Sequence, residues 1–194
     1  MLHYISQGIV GWQIRNGYLK QEERSIYEYA YELLLNQVIN VLVAVLIAVA
    51  YGDYITVILF LVCYIPLRSY AGGYHADTNW GCTIVSAVML ILLCQMGQKD
   101  ALWDWKRYLF CYTISGLSVY CWAPVSDQNK PLDSLEHARY QKRSRQLWKI
   151  EALIGILLFM AELPYANVIA RTHVILSVVL CIGICKNKRP HNRK

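Results

Sequence analysis

The chain has 194 residues, 56% of them hydrophobic and 16% charged, with a mean hydropathy of +0.29. A soluble domain carries roughly 25% charged residues, so the shortfall argues for burial in lipid as well as in protein. The net charge of +6 does not point to nucleic acid. The cations cluster between apolar segments and at the C-terminus, the pattern of cytoplasmic loops, and no nucleic-acid motif accompanies them.

Met1 to Lys20 contains no continuous apolar run and no small-residue cleavage site, so no secretory signal is expected. Leu2, Ile5, Ile9 and Trp12 stand at helical spacing, and Ile26, Ala30, Leu33 and Leu34 repeat it. This pattern predicts one or two amphipathic helices at a membrane surface; a soluble helical hairpin would show nearly the same one. Six apolar stretches follow, at about 33–50, 54–67, 82–96, 108–125, 147–163 and 165–185. Several are shorter than the ~18 residues of a clean spanning segment.

Charge placement favours membrane spans. With six spans and a cytoplasmic N-terminus, fifteen Lys and Arg residues fall inside, and only Lys99, Lys106, Arg107 and Arg171 outside. Tyr51, Tyr54, Trp80, Trp103, Trp105, Trp122 and Trp148 mark segment ends as an interfacial belt. The expected fold is therefore an all-α membrane protein of about six transmembrane helices behind an N-terminal amphipathic, interfacial segment. It forms a single domain: 1–32 cytoplasmic or interfacial, 33–185 the bundle, 186–194 a basic cytoplasmic tail. Glu151 and His173, near segment ends, read as interfacial side chains reaching headgroups, with a polar pair inside the bundle as the alternative.

Seven cysteines are present, with no CxxC and no disulfide framework. Cys63, Cys94, Cys111, Cys121, Cys181 and Cys185 lie in apolar stretches and read as packing residues. Cys82 differs. It closes the polar stretch from Arg68 to Cys82, which holds Gly72, Gly73, His75 and Asp77 and joins the second and third apolar segments on the cytoplasmic side. Thr78 or Asn79 is a good N-cap, which puts Cys82 in the first turn of the next helix. A helix start and a neighbouring imidazolium both favour a thiolate. Free first-turn N–H groups are natural donors to an oxyanion. His75 lies seven positions earlier, ~10 Å away along an unbroken helix, so a Cys–His dyad requires the chain to fold back. Gly72, Gly73, Asp77, Thr78 and Asn79 permit that turn. Asp77 and Asn79 are the candidates to orient the imidazole. A metal site of His75, Asp77 and Cys82 is the weaker rival, with too few close ligands for a structural zinc.

The run from Arg68 through Gly73-Tyr-His75 to Cys82, between two hydrophobic segments, resembles the accessory gene regulator B family. Ser118-Val-Tyr-Cys-Trp-Ala-Pro124, followed by Lys130-Pro131 and a basic loop to Lys149, is similar to that family's middle region. The resemblance covers nearly the whole chain. It implies a membrane cysteine endopeptidase of Gram-positive bacteria that cleaves and cyclises a small AgrD-like propeptide into a quorum-sensing autoinducing peptide. It implies His75 and Cys82 as the dyad, Arg68 and Gly73 as shaping the site, and a homodimer in the bilayer. The family's more basic cluster before Pro131 survives here only as Lys130, and an acidic residue at the position of Asp77 is not general. Lys130, Arg143 and Arg145 are the candidates to bind an acidic peptide tail. No metal or cofactor is expected. The competing reading is a non-catalytic membrane protein that binds or exports a peptide, with His75 and Cys82 structural or metal-binding.

Overall fold

In an apolar medium every backbone polar group must be satisfied within its own segment, which makes the helix the default for long apolar runs. The computed structural model describes residues 2–74, 79–97, 104–125 and 132–188, and among these it contains seven α-helices. They are α1 (Leu2–Arg15), α2 (Arg24–Tyr51), α3 (Tyr54–Ala71), α4 (Asn79–Gly97), α5 (Trp105–Trp122), α6 (Ser134–Met160) and α7 (Tyr165–Lys188). The six apolar stretches correspond to α2–α7. Three segments are long and apolar enough to cross a membrane, Gln21–Tyr51, Tyr54–Ala71 and Tyr165–Asn187, and Trp80–Met96 is a shorter apolar helix.

Two boundaries differ from the sequence expectation. The second amphipathic stretch is not a separate surface helix: α2 runs unbroken from Arg24 into the first apolar segment. The basic loop before Lys149 is helical from Ser134, because the Asp133 carboxylate accepts the Glu136 N–H at 2.6 Å and starts α6 thirteen residues before the apolar run.

α7 is the inner helix. Its apolar window is 61% buried, against 17% for α2, and it packs on α3, α5 and α6. α2 turns Leu42, Val45, Leu46 and Val49 outward, as a lipid-facing helix does. One apolar cluster joins α2, α3, α4 and α7 around Phe60, Leu90, Leu93 and Cys94. A second joins α3, α5 and α7 around Leu67, Ala71, Val119, Val125, Leu176 and Leu180, directly beneath the candidate site. Lipid tails are as apolar as leucine, so these clusters contribute through close packing more than through exclusion of water.

The helix ends alternate. The end of α3, the N-terminal half of α6, the end of α5 with the residues after it, and the C-terminal half of α7 meet on one side of the bundle, through the contacts Gly73–Val125, Tyr74–Val179 and Arg145–Tyr120.

Candidate active site

α3 continues past Pro66 to Ala71 and stops where Gly72 takes φ +71 and Gly73 φ +117, values that glycine adopts far more readily than other residues. The chain then leaves as an irregular segment that finds its hydrogen bonds elsewhere. The Gly73 N–H donates to the Val125 carbonyl at 3.2 Å, and the Val125 N–H donates to the Ala71 carbonyl at 2.9 Å. The result is a single parallel bridge between Gly72 and Val125. On the other side, the Tyr74 N–H donates to the Val179 carbonyl of α7 at 3.0 Å. Arg68, one turn before the helix end, donates from Nη2 to the Tyr74 carbonyl. Two elements, α7 and α3, thus fix the N–H and the C=O of Tyr74, the residue bonded to His75.

α4 starts at Asn79, and Cys82 is its fourth residue, in the first turn, as its N-cap candidates predicted. Its thiol is free and partly exposed. His75, Asp77 and Lys130 lie outside the described residues, as do the N-cap candidate Thr78, the interfacial Trp103 and the outer cation Lys99. Among the described residues no group of three His, Cys, Asp or Glu side chains could hold a metal.

The two candidate substrate cations on α6 part company. Arg143 is exposed. Arg145 donates from Nη2 to the Tyr120 carbonyl at 2.8 Å and lies over the Tyr120 ring at 4.8 Å, which ties the last turn of α5 to α6. Lys149 stands 6.0 Å from the same ring, and Lys186 of α7 stands 5.2 Å from the Tyr74 ring. The site end is therefore edged by cations held over aromatic faces.

Several sequence expectations are corrected. Glu151 and His173 do not reach headgroups. His173 is fully buried and bonds the Glu151 carboxylate through Nε2 at 2.9 Å, with the Tyr112 ring against its edge. Both residues are buried where α6 packs against α7, so each satisfies the other. Trp148 is no belt residue; it is partly buried, and its Nε1–H donates to Ser115 Oγ at 3.0 Å. Arg171 is not an outer loop cation but is buried in α7, lining a cavity of about 80 Å³ with Asp53, Thr56 and Asn167. Cys63, Cys94 and Cys111 are buried packing residues as expected, whereas Cys121, Cys181 and Cys185 are exposed.

The contact of Tyr74 with α7 had no local signature. The one hint was Gly183 within the apolar run of α7, since a helical glycine costs about 1 kcal/mol relative to alanine and calls for a packing reason.

The profile of the family described as accessory gene regulator B matches residues 6–184. Among curated relatives, a protein of Listeria innocua named as AgrB-like is 27% identical over 151 residues, covering 78% of this chain and 69% of its own. One from Lactiplantibacillus plantarum is 21% identical over 160 residues, covering 82% and 76%, and one from Clostridium perfringens is 22% identical over 143 residues, covering 70% and 67%. No solved structure matches the chain. With a profile spanning nearly all of the helical bundle, the chain belongs to the accessory gene regulator B family and is a membrane protein with a role in the agr quorum-sensing system.

Proposed function

We propose that this protein is a membrane-embedded cysteine endopeptidase that removes the C-terminal part of an AgrD-like propeptide and closes the remainder into a thiolactone or lactone ring, with Cys82 as nucleophile and His75 as its acid–base partner. The observation that carries the reading is the partly exposed Cys82 in the first turn of α4, eight positions after a Gly72–Tyr74 segment that is tied down immediately before His75 in the sequence.

In the first step His75 takes the Cys82 proton and the thiolate attacks the scissile carbonyl. The N–H groups that open α4 face the oxyanion. The C–N bond breaks, the leaving amine takes the proton from His75, and the N-terminal part of the peptide stays on Cys82 as a thioester. In the second step a thiol or hydroxyl of the same peptide attacks the thioester, passing its proton through His75 to Cys82. The ring leaves and the free thiol returns. With a substrate thiol this exchange trades one thioester for another and is nearly balanced apart from ring strain. The first step trades an amide for a thioester and is uphill, so loss of the released fragment draws the reaction forward. Hydrolysis is the competing fate, and a site beside apolar helices limits the water that would cause it. Arg68 and Gly73 shape the turn, Asp77 is the candidate to orient His75, and Lys130 and the exposed Arg143 are candidates to draw in an acidic tail, while Arg145 is engaged with Tyr120. The site lies at the cytoplasmic face of a Gram-positive cell membrane, and the protein works there as a homodimer.

The test is co-expression with an AgrD-like propeptide and mass spectrometry of the products. Cys82→Ser and His75→Ala should each abolish both cleavage and ring closure while membrane insertion is kept. Near-normal processing by Cys82→Ala would instead support a peptide-binding or export protein.

A further inference from the structure

Gly73 and Gly183 meet face to face across the site end of the bundle, although 110 positions separate them. A Cβ on Gly183 would stand 2.6 Å from both the Gly73 carbonyl carbon and the Tyr74 nitrogen. A Cβ on Gly73 would stand 3.1 Å from the Val179 oxygen and 3.2 Å from Val179 Cγ1. The atoms in the way at Gly183 are backbone, so no rotamer change relieves the clash. In the middle of an α-helix the Val179 carbonyl already has its place in the helix ladder. A carbonyl oxygen has two lone pairs, and here the second accepts Tyr74 N–H at 3.0 Å. Only a helix surface without a side chain at 183 lets the Gly73–Tyr74 segment approach closely enough for that bond.

We infer that the C-terminal half of α7 positions the catalytic turn: Gly183, by its missing side chain, and Val179, by its backbone carbonyl, set the place of Gly73 and Tyr74 and through them the reach of His75 to Cys82. Neither residue touches substrate or the reacting atoms; they are positioning residues. The inference rests on the reading of His75 and Cys82 as a dyad. It makes the last spanning helix part of the active site.

The experiment measures the rate of N-ethylmaleimide alkylation at Cys82 in the full chain in membranes, with the six other cysteines replaced by alanine. His75→Ala sets the scale; if His75 activates Cys82, the rate falls about tenfold. Gly183→Ala should bring the rate to the same low value. Ile184→Ala, which trims a packed neighbour on the same helix, should leave it within about twofold, a difference that a purely structural role for α7 would not produce. Should Gly183→Ala fail to insert, a second variant decides. Replacing Tyr74 by its α-hydroxy acid analogue turns the amide into an ester, removes the donor and adds no atom. The rate should then fall about fivefold, the loss of one modest hydrogen bond. A wild-type rate in either the inserted Gly183→Ala variant or the ester variant overturns the inference, even if His75→Ala is slow. A wild-type rate in His75→Ala itself, with processing retained, overturns the dyad instead.

Discussion

The two turns at the ends of α3 are built on opposite plans. The first, Gly52–Asp53, is self-contained. Gly52 takes φ +65 and donates to the Val49 carbonyl at 3.3 Å, and the Asp53 carboxylate accepts the Thr56 N–H at 3.2 Å. Every partner lies within four residues, and a Cβ at Gly52 would meet nothing within 4 Å. The second, Gly72–Tyr74, makes no such local closure. Apart from the bond of Gly72 N–H back to Arg68, its backbone N–H groups go to Val125 and Val179. A local turn forms wherever its own residues are, whatever the rest of the chain does. A turn wired to α5 and α7 exists only when the bundle is assembled, so its geometry is as exact as the packing beneath it. Preorganised chemistry needs that second kind of turn.

Exchanging glycine for alanine in the two turns separates them most sharply. Gly73→Ala forces a side chain into φ +117 and against Val179. A displacement of about 1 Å in a supporting group costs ~100-fold in rate, so processing of a co-expressed propeptide should fall by at least that factor, with the protein still in the membrane. Gly52→Ala carries only the left-handed backbone cost, ~1–2 kcal/mol. It should lower the melting temperature in detergent and leave processing unchanged. Equal loss of processing in both variants would mean that the wiring of the second turn has no special role.

The next largest effect concerns the buried pair at the core of the same bundle. Glu151→Ala removes the partner of His173 Nε2, whose side chain has no exposure. In a soluble core the loss of such a partner would cost ~3–5 kcal/mol. In a membrane the unfolded helices also find partners, so the smaller figure of ~1–2 kcal/mol should hold. Thermal unfolding in detergent measures it, and Glu151→Gln, which can still hydrogen-bond His173, should lose less than Glu151→Ala. A gln variant as unstable as the alanine variant would show that charge rather than hydrogen bonding holds α6 to α7.

How much of this was legible in advance follows the same division between local and distant wiring. The six apolar stretches and the first-turn position of Cys82 rest on neighbouring residues, and both appear in the structure. The start of α6 was equally local: Asp133 followed three residues later by Glu136 is a helix-start signature, and reading the segment by its charge alone made it a loop. The apolar frame also hid the buried polar residues. Glu151 and His173 stand near segment ends in the sequence, but an ionisable residue within a spanning helix is normally turned inward and paired. Val125, Val179 and Gly183 could not be connected to Gly73 at all, because strand pairing and close helix approach between distant segments leave no periodicity behind.

Arg143 and Arg145 give the smallest effect, and they carry the comparison to side chains. Two positions apart on a helix, they point in different directions. Arg145 is wired to a distant segment through the Tyr120 carbonyl and ring, while Arg143 is exposed. If an acidic peptide tail is drawn to this end of the bundle, the exposed cation is the one available to meet it. An exposed charge pair contributes ~0.2–1 kcal/mol, so Arg143→Gln should raise the apparent KM of the purified enzyme about two- to fivefold with kcat unchanged. Exposed charges are screened within ~8–10 Å at physiological ionic strength, so the gap between wild type and variant should close as salt is raised. Arg145→Gln should behave differently. It unties the last turn of α5, which leads to Val125 and so to the bridge with Gly72, and its effect should fall on kcat and on melting temperature and persist in high salt. An Arg143→Gln enzyme with the wild-type KM at low salt would leave these cations only the task of setting membrane topology.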